Sequence, residues 1–372
     1  MEYNSQRLQS IDALRGFDML FISGLAGLIT AICALFPGGS DCWLATQMHH
    51  AAWDGLRHHD TIFPLFLFIS GITFPFSYSK QLSAGCGRGR IYRKVLVRAL
   101  VLCLLGIIYN GALTEGRLAD IRVASVLGRI GVAWMLAAII YMNTGKLSTR
   151  LVIIGTILVG YWAALRFIPV PDAPAGAGPF TFEGNLCGYV DRMLLPGRLH
   201  RGTFDPEGIL GVVPAVATAL LGMLTGDFVR VPADRISGGR KVLCMLGAAA
   251  LMLAVGLVWS RWFPINKALW SSTFVLVVGA YSLALFAIFY WLIDVKGWRG
   301  WAFPFTVVGM NSITVYMAER MINFDYTSDF LASGLAGRLP EAWGEVIMAA
   351  TFLVLVWLFT YFLYKKKIFL KV

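Results

Sequence analysis

Between His49 and Gly71 the chain reads HHAAWDGLRHHDTIFPLFLFISG, a stretch that holds four of its five histidines (His49, His50, His58 and His59) beside Asp54 and Asp60. Imidazole changes charge near neutral pH, so a histidine can take a proton from an attacking nucleophile and later return it. A carboxylate beside it can orient the ring and stabilise its charged form. The apolar run that follows makes the grouping costly, since an Asp or Arg at the centre of a membrane-spanning helix costs roughly 2.5–3.5 kcal/mol. Imidazoles massed at such an edge point to acid–base or nucleophilic chemistry there. Metal chemistry has no comparable signal: the six cysteines lack paired spacing, and no CxxC or HExxH pattern occurs.

The elements that must hold these groups are membrane helices. The 372 residues are 58% hydrophobic and 14% charged, against about 25% charged in an average globular chain, and the mean hydropathy is +0.68. This excludes a soluble enzyme and gives an all-α, polytopic integral membrane protein. Apolar runs long enough to span a bilayer lie around 11–36, 61–79, 91–112, 121–143, 150–167, 206–226, 241–260, 271–293, 301–318 and 344–364. That makes about ten spans, with 41–57 as a re-entrant or interfacial eleventh element. No stretch is long enough to fold apart, so 1–372 reads as a single transmembrane domain with a long extracytoplasmic loop at 168–205. Met1 to Gln9 is polar and the first apolar run lacks a small-residue cleavage site, so no cleavable signal peptide is expected.

The net charge of +11 is not a nucleic-acid footprint, because the basic residues fall in short loops between apolar runs. Lys80, Arg88, Arg90, Arg93 and Lys94 form one group, Arg230, Arg235, Arg240 and Lys241 a second, and Lys365, Lys366, Lys367 and Lys371 a third, with Lys146, Arg150, Lys296 and Arg299 on the same side. Basic loops face the cytoplasm. Both termini are therefore expected inside, and 37–60, 168–205, 261–270 and 319–343 outside. Cys33, Cys103 and Cys244 read as small core residues, while Cys42 and Cys187 share the outer side, where a disulfide is conceivable.

Ionisable residues within the apolar runs are the remaining candidates. Asp12 and Arg15 stand at i, i+3 on one face of the first span, either as a self-neutralising pair or as a pair facing the bundle to hold an anionic group. Arg122 and Arg129, seven apart, are expected to share a face of the fourth span, and Arg129 needs a partner or an anion. Asn311 can hydrogen-bond across helices, and Gly222 with Gly226 forms a small-xxx-small helix contact. In Asp205-Pro206-Glu207-Gly208, Glu207 serves either as a helix-capping carboxylate or as a site residue. Asp60, for its part, is placed to act as an N-cap.

The ordered set SIDALRG, HAAWDGLRHHDTIFPLFLFISG, RVASVLGRIGVAW, YVDRMLL, FDPEGILG, NKALWSSTF and GMNSITVY, running from Arg7 to about Tyr316, resembles the heparan-α-glucosaminide N-acetyltransferase family and its bacterial relatives, a group of transmembrane acyltransferases. The resemblance implies an enzyme that moves an acetyl group from acetyl-CoA to the amine of an amino sugar or glycan acceptor, in a bacterial inner membrane, without metal or nucleic acid; the animal relatives suggest a homodimer. Carried over by motif, the family's essential histidine is His50, three residues before Trp53. The aspartate ahead of the IFP run is Asp60, and Asp12, Arg15, Trp53, Arg129, Glu207, Trp270 and Asn311 are the implied substrate-binding positions. The chain departs from the pattern at FISGLAGL, where a polar residue is common, and at Gly128, where a Gln commonly precedes Arg129. It is also expected to lack the lumenal N-terminal domain of the animal enzyme.

The chemistry suits these residues. His50 can serve as general base toward the amine or as a covalent acetyl carrier, and Arg15 and Arg129 can bind the phosphates of an anionic donor. The competing readings are a proton-coupled secondary transporter, which also places Asp, His and Arg in spans, and a non-catalytic lipid-binding module.

Overall fold

A computed structural model describes residues 8–115 and 117–369; Arg7 and Lys371, named above, lie outside the described residues. Among the described residues, eight helices are long and apolar enough to cross a membrane: Gln9–Ala34, His58–Ser83, Val126–Asn143, Leu147–Phe167, Val212–Arg230, Gly238–Trp259, Ser272–Val295 and Glu341–Lys365. The chain is an integral membrane protein with an all-α fold, and among the described residues the only β pairing is an isolated bridge between Arg122 and Gly197.

Two of the ten expected spans take a different form. The 91–112 run is an unbroken helix, Arg88–Tyr109, but Arg93, Lys94 and Arg98 make it more polar than the other eight. The 301–318 run is broken, with one helix over Phe303–Gly309 and another over Ser312–Met321. Other boundaries also move. The fourth span begins at Val126, capped by Ser125, whose hydroxyl accepts from the Gly128 amide at 3.0 Å. Arg122 therefore lies outside that helix and does not share a face with Arg129. The segment 41–57 is one turn of helix, Trp43–Gln47, followed by a loop, and the long loop contains the helix Leu186–Leu194. Cys42 and Cys187 are both free: the Cys187 thiol lies 3.2 Å from the Tyr161 hydroxyl, whereas Cys42 Sγ accepts from the Ala45 amide.

Small residues let the central helices approach closely. A Cβ on Gly222 would lie 2.1 Å from the Phe68 carbonyl oxygen, one on Gly226 2.3 Å from that of Ile72, and one on Gly71 2.3 Å from that of Ala219. The Gly222/Gly226 pair is thus the seam between His58–Ser83 and Val212–Arg230. Gly16 and Gly309 play the same part between Gln9–Leu20 and Phe303–Gly309, with virtual Cβ atoms 1.7 and 1.8 Å from the Phe305 and Asp12 carbonyls. Around these seams, Phe68, Phe204, Phe263, Trp270, Phe274 and Phe286 are fully buried. Leu243, Leu251, Val152, Val354 and Phe362 instead point outward, as lipid-facing residues do.

The end of the bundle opposite His58 is tied by charge. Arg150 donates to Asp227 at 2.6 Å, the Tyr141 hydroxyl donates to the same carboxylate at 2.5 Å, and Arg230 lies 3.5 Å away. The Gly222 seam yields a direct test. Gly222→Leu should lower thermal stability in detergent by an amount in the large-effect range, about 4 kcal/mol or more. Gly247→Leu, on a helix face with nothing within 4 Å of its Cβ, should leave the melting temperature nearly unchanged.

Candidate active site

The sequence brings His50 and Asp60 together through a short loop folded back on a helix start. The His58 amide donates to the Gln47 side-chain oxygen at 2.9 Å, and Arg57 reaches back to the His50 carbonyl at 3.0 Å. Asp60 is not the N-cap of His58–Ser83: Arg57 holds that position and Asp60 is the third helical residue. From there its carboxylate accepts three hydrogen bonds, from His50 Nδ1 at 2.7 Å, the Ala51 amide at 3.1 Å and the Arg57 amide at 3.1 Å. The Asp60 side chain is 1% exposed and that of His50 is 54% exposed. A buried carboxylate therefore grips one ring nitrogen while the rest of the imidazole stays open. The His59 ring lies 4.6 Å from that of His50, and His58 packs against Phe21 at 4.4 Å.

Lys267, which reasoning on single residues missed, completes the group. Its ammonium nitrogen is 3.1 Å from His50 Nδ1, 3.5 Å from His50 Nε2 and 3.5 Å from Asp60 Oδ1. Burial pushes the Lys267 ammonium below the usual lysine range, against the opposing pull of Asp60 and Glu207. The available signal was NKALW itself, a lysine in a polar turn between two long apolar runs. That turn is tightly specified: Asn266 accepts from the Leu269 amide at 2.8 Å and donates to Asp54 at 3.1 Å, and its own amide donates to the Ser271 hydroxyl at 3.0 Å. Trp270 closes it at φ +50°, a left-handed conformation that is a genuine outlier for a bulky residue.

Trp53 serves as an anchor. Its indole N–H donates to the Phe180 carbonyl at 2.9 Å and its ring packs on Phe182 and Phe204, pinning the His50 loop to the 168–205 loop. Glu207 does not cap the following helix, which starts five residues later at Val212. With Asp205 it takes Arg122 instead: the guanidinium donates to Asp205 at 2.8 and 2.7 Å and also contacts Glu207. Burial alone would raise the Asp205 pKa, but the hydrogen bonds and charge of Arg122 outweigh it and hold that carboxyl below its usual range. Arg129 is 3% exposed and donates to the Gly208 carbonyl at 3.1 Å. Its Nε and Nη1 are buried without a hydrogen-bond partner among the described residues, and its guanidinium lies 5.2 Å from the Trp270 ring.

Asp12, Arg15 and Asn311 belong to a different place. Asp12 and Arg15, 3.9 Å apart, line a cavity of about 370 Å³ with Phe63, Phe66, Arg98 and Tyr316. Asn311, at the helix break, donates to the Ile368 carbonyl at 3.1 Å. Arg98 is the second missed residue: its guanidinium sits 4.3 Å from the Trp134 ring centre and its Nε is buried without a partner among the described residues. The two groups meet at an aromatic pair, since Phe63, three residues after Asp60, lines the cavity and its ring lies 4.7 Å from that of Trp270. Among the described residues, no group of three or more His, Cys, Asp or Glu side chains is arranged to hold a metal ion.

The turn carrying Asp205 and Glu207 rests on Asp191, a fully buried carboxyl that accepts from the Ile209 amide at 2.9 Å while its second oxygen has no partner among the described residues. Burial raises its pKa to about 6, above the roughly 3.9 of an unfolded Asp. A folded-state pKa raised in this way means that stability is withdrawn as pH climbs from about 4 to about 6. Asp191→Asn should therefore melt higher than wild type at pH 7, with the gap closing by about pH 4, as read by thermal scans across that range.

No family model matches the chain. It is 28% identical over 416 residues to the heparan-alpha-glucosaminide N-acetyltransferase of Homo sapiens, covering 98% of this chain and 60% of that protein. It is 27% identical over 422 residues to the Mus musculus protein of the same name, covering 99% of this chain and 61% of that protein. The chain thus spans about three-fifths of the length of these relatives, and the similarity runs along nearly all of it.

Proposed function

We propose that this chain, as a relative of the heparan-alpha-glucosaminide N-acetyltransferases, is a membrane-embedded acyltransferase that moves an acetyl group from acetyl-CoA to the amine of an amino sugar or glycan. The observation that carries the reading is the 2.7 Å contact between His50 Nδ1 and the buried Asp60 carboxylate. It fixes the tautomer that leaves Nε2 as the basic nitrogen, on a half-exposed ring. In the proposed reaction the amine nitrogen attacks the thioester carbonyl carbon and the carbonyl π pair moves onto oxygen. Nε2 takes the proton that the nitrogen loses. The carbonyl then re-forms, the C–S bond breaks with its pair going to sulfur, and His50 returns the proton to the thiolate. Asp60 stabilises the imidazolium that exists between these two transfers.

The donor is assigned to the cavity on its residue types. Its lining is largely apolar, its volume is in the range of small-molecule sites, and Arg15 and Arg98 supply positive charge in it. A buried guanidinium nitrogen left without a partner is costly, and a phosphate would satisfy the one on Arg98. Arg129 and Glu207, near Lys267, are assigned to the acceptor end with Trp270. The basic loops orient the chain with both termini in the cytoplasm and the His50 loop outside, in a bacterial inner membrane; a homodimer accords with the animal relatives. The carrier reading draws on the helix break at Met310–Asn311 beside the cavity, since transporters build sites at discontinuous helices. It requires substrate movement without thioester cleavage.

Incubation of the purified full chain in detergent with labelled acetyl-CoA and a panel of amino sugars tests the proposal. His50→Ala should abolish acetyl transfer with an unchanged melting temperature, and Asp60→Asn should lower kcat by about 10²-fold or more. Wild-type turnover by His50→Ala would remove the base, and transport without cleavage would favour the carrier. Arg98→Met should raise KM for acetyl-CoA about tenfold, the loss of one charge-assisted contact of roughly 1.5 kcal/mol, with kcat nearly unchanged.

A further inference from the structure

We propose that Lys267 is a catalytic residue whose ammonium receives the carbonyl oxygen of the acyl donor as that oxygen becomes an oxyanion. This rests on the acyltransferase reading above and adds the electrophilic half that His50 and Asp60 do not supply. Attack on a thioester moves a full negative charge onto oxygen, and donors fixed in advance where that charge appears are usually the largest single source of acceleration. A base alone leaves that charge uncompensated.

Three observations point to Lys267. Its Nζ lies within 3.5 Å of both ring nitrogens of His50, so it sits beside Nε2, the atom at which the attacking amine must lose its proton. An oxygen bonded to the carbon under attack is then within reach of the same ammonium. Second, Lys267 is not needed to complete the Asp60 carboxylate. His50 already takes Oδ1 at 2.7 Å, and the Ala51 and Arg57 amides take Oδ2. The ammonium is 3.5 Å from Oδ1, beyond the usual 2.7–3.2 Å hydrogen-bond range. An imidazole that donates from Nδ1 to Asp60 cannot accept there as well, so contacts with His50 and Asp60 do not exhaust the three N–H donors of Lys267.

Third, the backbone around Lys267 is built to hold it. Asn266 and Ser271 bond to one another and to the turn between them, and Asn266 ties that turn to Asp54 in the His50 loop. The Gly55 amide donates to the Ile265 carbonyl at 2.8 Å, a second tie between the same two loops. Trp270 keeps its left-handed φ of +50° while fully buried. Strain of this kind persists only where surrounding contacts over-determine it, and it clusters at active sites. The charged groups facing Lys267 are Asp60, Glu207 and Arg129; burial lowers its pKa, and the two carboxylates oppose that shift by favouring the charged form.

The test uses the full chain in detergent, labelled acetyl-CoA and glucosamine as the acceptor probe, with His50→Ala run alongside. Lys267→Met should lower kcat about 10²–10³-fold, the loss seen when one oxyanion donor is removed. KM for both substrates should stay within about threefold, because the contact exists only in the transition state. Lys267→Gln, which keeps an N–H donor without the charge, should recover part of the loss. The assignment is overturned if Lys267→Met keeps kcat within about threefold while His50→Ala is inactive. It is equally overturned if Met and Gln variants lose activity alike with KM rising in proportion, which is the signature of a residue that only holds the loop. Wild-type turnover by His50→Ala would instead sink the base while leaving Lys267 to be judged on its own kcat. A wild-type chain that neither transfers nor cleaves the thioester overturns the acyltransferase reading and this inference together.

Discussion

The arrangement at the His58 end of the bundle depends on one buried carboxylate. Asp60 is almost wholly withdrawn from solvent, and an ionised carboxyl so placed must be hydrogen-bonded or it would be driven to its neutral form. The chain meets that demand by folding the loop after Trp43–Gln47 back over the helix start, so that the Ala51 amide, the Arg57 amide and the His50 ring all converge on it. Lys267, from a turn 217 residues further along the chain than His50, then comes to lie against the ring that Asp60 has positioned. Loop geometry and histidine orientation are thus consequences of keeping a single negative charge inside a lipid-embedded protein.

Much of this was legible because burial rules act locally. His50 and Asp60 are ten residues apart and flank a helix start, so their pairing follows from short-range folding, and the small-xxx-small spacing of Gly222 and Gly226 fixes a helix seam without reference to the rest of the chain. What escaped was non-local. The role of Lys267 depends on two loops meeting, and nothing in NKALW by itself states which side chain the lysine will face. Arg98 was hidden differently: it follows Arg93 and Lys94 closely enough to look like part of a basic loop, yet the Arg88–Tyr109 helix carries it a turn deeper, against Trp134. Arg122 was drawn onto the wrong helix face because hydropathy runs on past the Ser125 cap, where the backbone turns extended.

The two arginines of the fourth run show how much such a boundary matters. A helix from 121 would have set Arg122 and Arg129 on one face as a pair of like charges needing one large anion. With the helix starting at Val126, Arg122 is instead satisfied by Asp205 and Glu207, while Arg129 drops into the core beneath Trp270 with one carbonyl partner. One is therefore a structural clamp on the 205–208 turn. The other keeps donor capacity beside the Lys267 loop.

The backbone marks the cavity independently of its charges. A peptide group without a partner is expensive in hydrocarbon, so irregular backbone in a membrane helix is tolerated where it borders protein or a cavity. The Gln9–Ala34 helix loosens at Phe21–Leu25, where Gly24 has φ +110°. The Phe303–Gly309 and Ser312–Met321 helices part at Met310–Asn311, and Pro64, inside His58–Ser83, offers no N–H to the helix. Ile22, Gly309, Met310, Ser312, Phe63 and Phe66, which lie at or beside these three points, all line the one cavity. The helices that present their apolar faces outward, Gly238–Trp259 and Glu341–Lys365, run without such a break. Pro75 and the π-helical Tyr290–Val295 lie away from it, so irregular backbone is gathered at this internal space without being restricted to it.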